Sequence, residues 1–551
     1  MHKKTLLFAL LLVVVVALFA FSTKKAPAPS APLATPTVDV YLKNGETYEM
    51  TAGYVTKDIG GKAMRMLAYN GSIPGPVLHI NEGDEVTIHF VNNTDMPTLL
   101  HSHGVRMENK FDGAQAVQED IPPAGSFDYK LKFTDPGVMW YHPHVREDKQ
   151  QNMGLYGNFV VTPKDTAFWP AVDHEETLFL SDVLVEGGEV APYSDKFITH
   201  ALMGRFGNTL LTNGEVAHNI VAEPGEVHRL YVTNAATVRP FNFAVKGAKM
   251  KLVGGDNGRY EKETFVESVI LAPSERAVLD VYFPEAGVYA LEHRTPAKTY
   301  ELGVVNVSGT PMDGAKRTFE TLRSNAEEIA LFTDLRHYLK TAPDKHVTLT
   351  MKMDMAKIMS YMGGGASGDG HNHGTGDTAG HDMSGMDMSG MNMEGMNMEG
   401  MMGGTSSADG MAGMSTHVAP PIEWEDTMGD MNTFSTSDTV TWIIKDVDTG
   451  KENMDIDWTF ALGKYVKIRI DNDPKSGHPM QHPIHFHGNR FVVLSTNGIP
   501  NDNMVWKDTT LLQTGDSVDV LLEVTNPGVW MAHCHIAEHM HSGMMFVYKA
   551  E

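Results

Sequence analysis

The chain has 551 residues, too many for one ordinary hydrophobic core and enough for about three domains of roughly 150 residues. Its 44 Lys and Arg residues against 69 Asp and Glu residues give a formal net charge of −25. This charge argues against a nucleic-acid partner, which requires a basic face. The chain has one cysteine, Cys534, so an internal disulfide bond is excluded.

Residues 1–36 are predicted to be an export segment and linker rather than part of the fold. Lys3 and Lys4 precede the apolar run TLLFALLLVVVVALFAF, and a polar stretch rich in Pro and Ala follows. This order is typical of a secretory signal peptide. The run is also nearly long enough to span a bilayer, so an uncleaved anchor is the alternative and the only membrane contact that we expect. We therefore expect an exported protein, located in the periplasm or another space outside the cytoplasm.

Beyond residue 36 the sequence is typical of β-sandwiches, because short alternating apolar runs are broken by Gly, Pro and Asn. One stretch of sequence occurs three times in related form. PAGSFDYKLKFTDPGVMWYHPH (123–144) parallels QTGDSVDVLLEVTNPGVWMAHCH (513–535), and APSERAVLDVYFPEAGVYALEHR (272–294) is a third copy without the paired histidines. The repeat predicts an all-β chain of three consecutive sandwich domains.

The predicted domains are listed by residue number as 37–165, 166–310 and 341–551, with a connecting segment at 311–340. Part of that connection, residues 316–340, has helical spacing of its apolar residues.

A segment of low complexity, residues 363–414, interrupts the third unit. It consists mostly of Gly, Ser, Asp and Met, a composition that does not form a packed core, so we expect a disordered insertion. It has eleven methionines between residues 383 and 414, with His371, His373 and His381 close by. Thioethers select Cu(I). A solubilising linker is the alternative, which oxidation-prone methionine suits poorly. The methionines of the candidate Cu(I) site are Met383, Met386, Met388, Met391 and Met393.

Four short motifs carry the candidate metal ligands: HSHG (101–104), HPH (142–144), HPIHFHG (482–488) and HCHIAEHMHSGMM (533–545). Side chains two residues apart on a strand share a face, so each His-x-His pair presents both rings together. A single such pair is weak evidence for a metal, but four pairs in repeat-equivalent positions are not expected from packing. The eight imidazoles, which suit clustered copper, are His101, His103, His142, His144, His485, His487, His533 and His535.

Residue parity predicts a second metal site on the opposite side of one strand. Cys534 lies between two paired histidines and must point away from both. His482 lies three residues before His485, an odd offset, so its ring also points away. Two histidines, a cysteine and a weak axial methionine are the ligands of blue copper sites. The candidate ligands on this side are His482, Cys534, His539 and Met544.

The four motifs resemble those of the three-domain multicopper oxidases, a family that includes laccases, bilirubin oxidases and bacterial copper-efflux oxidases. The resemblance covers nearly all of the chain after residue 40 and implies three cupredoxin-like Greek-key β-sandwich domains with four copper ions. It assigns the type 2 copper to His101 and His485. It assigns the two type 3 coppers to His103, His142, His144, His487, His533 and His535. It assigns the type 1 copper to His482, Cys534, His539 and Met544.

The resemblance also implies a reaction. A reductant gives up one electron at a time near the type 1 copper, the electrons cross Cys534, and four of them reduce O₂ to two waters at the trinuclear cluster. Asp112, in ENKFDG, matches the family's acidic residue beside the cluster, and a surface-turn aspartate is the alternative. Met540 departs from many bacterial relatives, which carry Glu there, so we expect another proton route, such as one through Glu538.

Three functions were weighed from the sequence. The first is a cuprous oxidase in copper tolerance, because the Met-rich insertion lies early in the third domain, where copper-efflux oxidases resemble one another. The second is a laccase that oxidises phenolic or aromatic substrates. The third is a non-enzymatic protein that sequesters copper, against which the complete ligand set argues. The expected partners are O₂ and either Cu(I) or a small phenol, with additional labile Cu(I) on the insertion, and we expect a monomer.

Overall fold

The structure is a computed structural model, and it describes residues 31–364 and 420–551. The apolar run of the predicted export segment lies outside these residues, as do the five candidate Cu(I)-binding methionines and nearly all of the predicted insertion. Within the part of the chain that is described, no helix combines the length and the apolar character needed to cross a membrane.

Strands between residues 39 and 162 form the first pair of sheets. Side chains of Glu85–Asn92 alternate between buried and more exposed positions, because one face of this strand packs on the core. In spatial order, the first sheet consists of Lys62–Tyr69, Thr47–Ile59, Glu85–Asn92 and Ser126–Lys132. The second sheet consists of Asp39–Tyr41, Val77–Asn81, Gly157–Thr162, Gly137–His142 and His101–His103.

Strands between residues 174 and 307 form the second pair of sheets. Arg276–Tyr282 is buried at every position, because this strand lies in the interior of the molecule with both faces covered. The six-stranded sheet consists of Thr209–Thr212, His174–Val183, Val227–Asn234, Arg276–Tyr282, Lys249–Gly255 and Gly258–Val266. The five-stranded sheet consists of His218–Ala222, Thr299–Val307, Gly287–Arg294, Phe241–Val245 and Val269–Leu271. A small ribbon pairs Val185–Glu186 with Glu189–Val190.

Strands between residues 345 and 550 form the third pair of sheets. The six-stranded sheet consists of Val440–Asp446, Lys345–Met353, Lys464–Asn472, Ser517–Val524, Arg490–Thr496 and Ile499–Pro500. The five-stranded sheet consists of Asp457–Phe460, Met545–Ala550, Gly528–Cys534, His482–Phe486 and Thr509–Leu512. Three sandwiches in succession confirm the predicted all-β class. The exact domain boundaries remain a prediction.

Helices in the described residues are short and lie between strands. The α-helices are Glu147–Gln150, Lys316–Glu320, Ala326–Leu335, Met355–Gly364, Asp430–Phe434 and Ala537–His541. The 3₁₀ turns are Asn109–Phe111, Arg336–Lys340 and Asn453–Asp455. Two of the helices and one 3₁₀ turn lie within residues 316–340, where the apolar spacing predicts helix.

The first and third sandwiches, hereafter the first and third units, share one continuous apolar core. The same cluster of buried side chains includes Phe90 from the first unit, Trp530 from the third and Leu202 from the second sandwich, hereafter the second unit. A separate cluster around Leu279 fills most of the second unit. The two units that carry histidine pairs therefore pack against each other as one body.

The turns of the three repeats differ in their surroundings. Asp135 in TDPG accepts hydrogen bonds from Arg106 of its own unit (Nε–Oδ2 2.7 Å) and from Arg490 of the third unit (Nη1–Oδ1 2.6 Å). Asn526 in TNPG donates a 2.8 Å hydrogen bond to a main-chain carbonyl of the first unit. The corresponding turn of the third copy, residues 284–287, is exposed. Two of the three repeated turns thus join the units that carry the histidines.

Replacing Asp135 by Ala is expected to destabilise the protein by about 1–3 kcal/mol, because two partly buried guanidinium groups lose a shared carboxylate and keep only Glu523 as an acidic partner. Chemical unfolding of the copper-free protein measures this change. The matched control is Asp128→Ala, which removes an aspartate that is 62% exposed in its pair with His89 and should alter stability little. Equal losses in both variants would contradict a special role for the Asp135 junction.

Candidate metal centre

Four paired strands carry the eight histidines. In the first unit, His101 lies directly opposite His142 in an antiparallel pair. In the third unit, His485 lies directly opposite His533. Opposite residues of an antiparallel pair point to the same face. Each unit therefore presents its two His-x-His pairs on one face of a sheet.

These two faces meet. The ring centroids of His103 and His485 are 3.8 Å apart, and those of His101 and His487 are 4.1 Å apart. The ring of His144 packs edge-on against that of His533 at 5.2 Å. All eight residues are at most 5% exposed. The structure therefore brings the eight predicted histidines into one buried set between the first and third units, here called the eight-histidine set.

The orientation of most rings is set through Nδ1. In six rings this nitrogen lies 2.7–3.1 Å from a carbonyl or carboxylate oxygen: those of His101, His142, His144, His485, His487 and His533. These oxygens only accept hydrogen bonds, so Nδ1 carries the proton of each neutral ring and Nε2 carries a free lone pair. Burial lowers the pKa of all eight imidazoles, which favours the neutral form.

The free Nε2 atoms point into the interior without partners. Four of them, in His101, His142, His144 and His485, are buried and make no hydrogen bond, and the same is true of Nε2 in His535. The Nε2 atoms of His487 and His533 lie 3.0 Å apart although neither has a proton to donate. Converging lone pairs without donors fit a cation, and neutral imidazole is a preferred ligand of copper. The donor set therefore fits the copper that the sequence motifs imply.

His103 is oriented the opposite way. Its Nε2 lies 2.9 Å from a carboxylate oxygen of Asp508 and 2.9 Å from the hydroxyl of Ser274. Nδ1 is therefore the nitrogen left for a metal at this position. Nothing in the HSHG motif distinguishes His103 from its neighbour His101, so the sequence did not reveal this reversal.

A second buried group lies on the other side of the strand. The sulfur of Cys534 is 3.6 Å from Nδ1 of His482 and 3.9 Å from Nδ1 of His539, and these two nitrogens are 3.3 Å apart. Met544 is fully buried, and its main chain bonds to both Cys534 and His539. These four residues are here called the Cys534 set. They are the ligand types of a blue copper site.

The Cys534 set is closed off from water. Burial raises the pKa of the Cys534 thiol and lowers the pKa of His482 to about 3. A bound cation offsets the first effect, because a coordinated thiol is deprotonated. Trp442, which the sequence analysis did not single out, stacks on His539 with a centroid distance of 4.0 Å.

Asp112 lies against the eight-histidine set and not at the surface. It is 1% exposed, so the surface-turn alternative is wrong. One carboxylate oxygen accepts a 2.9 Å hydrogen bond from His487 Nδ1, and the main-chain oxygen accepts one from His101 Nδ1 at 2.7 Å. The other carboxylate oxygen has no partner. Burial raises the pKa of Asp112 to about 6.

Two further carboxylates lie near the ligands. Glu538 is fully buried without a hydrogen-bond partner for either oxygen, and burial raises its pKa to about 8. Glu147, which was not predicted, lies 3.1 Å from His144 Nδ1 and contacts His541 with its other oxygen. Its position three residues after His144, at the start of a short helix, is the only signal that the sequence offered.

Comparisons with known proteins agree with this arrangement. Two sequence profiles, both described as multicopper oxidase, match residues 50–166 and 423–551, and these ranges contain all four histidine motifs. Multicopper oxidase MmcO of Mycobacterium tuberculosis is 25% identical over 88% of this chain and 83% of its own length. Laccase-2 of Podospora anserina is 23% identical over 91% of this chain and 78% of its own length.

A solved structure described as a multicopper oxidase from Campylobacter jejuni, a metallo-oxidase, superposes with a TM-score of 0.63. The match covers 95% of this chain and 94% of that one at 22% identity. This likeness confirms the cupredoxin-like fold. The profiles cover the parts of the chain that carry all four histidine motifs, so residues 50–166 and 423–551 are multicopper oxidase domains, and the protein is an oxidoreductase of the multicopper oxidase kind with copper as its implied cofactor.

Proposed function

We propose that this oxidase couples four one-electron oxidations to the reduction of O₂ to two waters, and that Cu(I) is its reductant. The convergence of partnerless imidazole nitrogens beside the Cys534 set is the observation that carries the oxidase reaction. The Cys534 set would hold a copper ion that supplies one-electron chemistry with the reductant, and the eight-histidine set would hold the copper ions that supply the four-electron reduction of O₂.

The proposed copper assignment uses every ligand that the motifs supply. The type 1 copper is held by His482, Cys534, His539 and Met544. The type 2 copper is held by His101 and His485. The two type 3 coppers are held by His103, His142, His144, His487, His533 and His535. Cys534 is bonded through the main chain to two histidines of the other set, so the connection between the two sets is a short covalent one.

Asp112 is the proposed proton-handling residue of the eight-histidine set. Its partnerless carboxylate oxygen is buried beside rings of both the first and the third unit. A carboxyl group in this place can hold a proton where oxygen reduction consumes one. Glu538 is not in hydrogen-bond contact with any side chain, so we give it no role.

The choice of Cu(I) rests on the Met-rich segment and on where the described chain leaves and rejoins it. Ile358, in the helix Met355–Gly364, is buried in the same apolar cluster as Cys534. That helix packs against Asp430–Phe434, which follows the segment. The two flanks therefore pack together, and Ile358 joins them to the apolar core that also contains Cys534.

Two hydrogen bonds and one ring stack connect the helix Asp430–Phe434 with a ligand of the Cys534 set. Asn432 accepts a 3.0 Å hydrogen bond from the main chain of Met203, two residues beyond Ala201. The carbonyl of Ala201 accepts a 2.7 Å hydrogen bond from the Trp442 indole. Trp442 stacks on His539. Soft thioether ligands attached to this region would concentrate Cu(I) where electrons enter.

A laccase acting on phenolic or aromatic substrates is the alternative, in keeping with the name of the Podospora relative. The metallo-oxidase from Campylobacter favours a metal reductant instead. A purely sequestering protein does not explain a buried eight-histidine set joined to a cysteine site. Export and a role in copper tolerance are part of the same proposal and rest on the N-terminal sequence and the Met-rich segment.

Removal of copper is expected to destabilise the fold, because the converging lone pairs then have no partner. Adding Cu(II) back at a free concentration of about 1,000 times its dissociation constant should raise the free energy of unfolding by roughly 4 kcal/mol for each site that it occupies. Unfolding curves with and without metal measure this. Mg²⁺, which prefers oxygen ligands, is the control and should leave the curve unchanged. A copper-free protein as stable as the loaded one would contradict a metal-binding role for the partnerless nitrogens.

Deletion of residues 363–414 is expected to reduce Cu(I)-driven O₂ consumption by roughly tenfold or more, equivalent to at least about 1.4 kcal/mol of lost transition-state stabilisation. Phenol-driven consumption should persist. A second variant keeps the segment at its full length and replaces the five candidate methionines by Leu. It removes the thioether sulfur atoms of these positions without shortening the chain. Unchanged Cu(I) turnover in both variants would favour the laccase alternative.

Asp112→Asn is expected to lower kcat by about 10²–10⁴-fold while copper content stays normal, because the amide preserves the shape but cannot hold the proton. Steady-state O₂ consumption and metal analysis measure the two quantities. Asp120→Asn, in the same loop and away from the histidines, is the control. Normal turnover in Asp112→Asn would rule out the proposed proton role.

A further inference from the structure

The second unit supplies no histidine to the eight-histidine set, yet its copy of the repeat contacts that set. The positions equivalent to the paired histidines are Glu292 and Arg294, which bind each other (Nε–Oε2 2.8 Å). The other end of the same copy, SER at residues 274–276, lies against His103 instead. The copy has therefore lost metal ligands at one end and kept a contact with the metal centre at the other.

In His103 it is Nε2 that carries the proton, the reverse of the six rings whose Nδ1 lies against an oxygen. A carboxylate oxygen of Asp508 lies 2.9 Å from this nitrogen and can only accept a hydrogen bond. The neutral ring then has its lone pair on Nδ1. A metal ligand's free nitrogen is set by the hydrogen bond that its other nitrogen makes. Asp508 therefore determines that Nδ1 is the nitrogen of His103 that is free to bind a metal.

Asp508 is in turn held by Arg276. The guanidinium donates to both carboxylate oxygens, with Nη1–Oδ1 at 2.7 Å and Nη2–Oδ2 at 2.6 Å. Its remaining nitrogen, Nε, donates to the carbonyl of Val138 at 3.2 Å. Both side chains of this pair are at most 2% exposed. A planar fork with two parallel hydrogen bonds fixes the carboxylate in position and in rotation.

The pair needs a glycine beside it. Gly104, directly after His103, has a φ of +85°, and a Cβ there would lie 2.8 Å from both Arg276 Nη2 and Asp508 Oδ2. The main-chain carbonyl of Asp508 also accepts a 2.8 Å hydrogen bond from His485 Nδ1. One residue thus anchors a ligand of the first unit through Nε2 and a ligand of the third unit through Nδ1.

We propose that Arg276 is a positioning residue of the metal centre, contributed by the second unit, which clamps Asp508 so that His103 offers Nδ1 to the cluster. The proposal rests on the proposed copper assignment. It gives the second unit a part in the metal centre although none of its own histidines belongs to the eight-histidine set. Its effect is local, because the Cys534 set makes no contact with this ion pair.

The test is Arg276→Lys, which keeps the positive charge and removes the fork. Copper retained against increasing chelator is measured together with the thiolate absorption of the type 1 copper and the electron paramagnetic resonance of the cluster. We expect cluster copper to be held about 10–100-fold more weakly, the size of effect typical for groups that orient metal ligands. The type 1 signal should be retained, which shows in the same sample that the third unit is folded.

The matched control is Arg229→Lys. Arg229 lies opposite Asp280 in the same six-stranded sheet, and the two form a buried pair with Nε–Oδ1 at 2.9 Å and Nη2–Oδ2 at 3.2 Å. This pair makes no contact with the histidines, so its disruption should affect stability without selective loss of cluster copper. Asp508→Asn, which keeps the shape and weakens the acceptor, serves as the second variant if Arg276→Lys does not fold.

The outcomes separate the proposal from the copper assignment. Selective loss of cluster copper in Arg276→Lys or Asp508→Asn, absent from Arg229→Lys, supports the clamp. Retention of cluster copper at wild-type affinity in the folded variants, or equal loss in all three, overturns it. Wild-type protein that binds only type 1 copper would instead overturn the copper assignment itself. A structure of copper-free Arg276→Lys should show the His103 ring rotated away from Asp508, and an unmoved ring also counts against the clamp.

Discussion

Eight neutral imidazoles are buried together, and most of their inward nitrogens have no protein partner. An unsatisfied polar atom in the interior costs free energy that folding must recover elsewhere. A bound cation removes this cost, and most of the rings cannot turn away to relieve it, because Nδ1 of six rings and Nε2 of His103 lie against main-chain carbonyls or carboxylates. The first and third units are packed so that these rings face one another in an arrangement that fits a bound metal.

Two kinds of contact hold the opposing faces. A continuous apolar core joins the first and third units, and its non-directional packing brings the two sheets together. Directional contacts then set the register. Asp135 bridges guanidinium groups of both units, and Asn526 binds the main chain of the first unit from the third. These contacts arise from the turns that begin two of the four histidine-bearing strands, Gly137–His142 and Gly528–Cys534, so the duplicated segment carries both ligands and junction contacts.

The two metal sites follow from a single strand, Gly528–Cys534, and the residue after it. Alternation along the strand sends His533 to one face and Cys534 to the other. The Cys534 sulfur enters an apolar pocket with Trp442 and Met544, whereas the histidines enter a polar one with Asp112 and Glu147. Because neighbouring residues of a strand point to opposite faces, the Cys534 set and the eight-histidine set lie in different surroundings although Cys534 and His533 are adjacent in the chain. The Cys534 set therefore lies within the third unit, whereas the eight-histidine set is enclosed between the first and third units.

The sequence by itself determined what is local. The repeat predicted the sandwiches, and the two-residue period of a strand assigned each histidine and Cys534 to a face, because side-chain direction on a strand depends only on parity. The sequence named Asp112 as a candidate, but only the packing of the third unit over its loop decided that it is buried. The reversal of His103 depends on Asp508, 405 residues away in the chain, and on Arg276 from another unit. Such contacts are set by how whole sheets dock, and docking depends on surfaces assembled from distant segments, which no local pattern encodes.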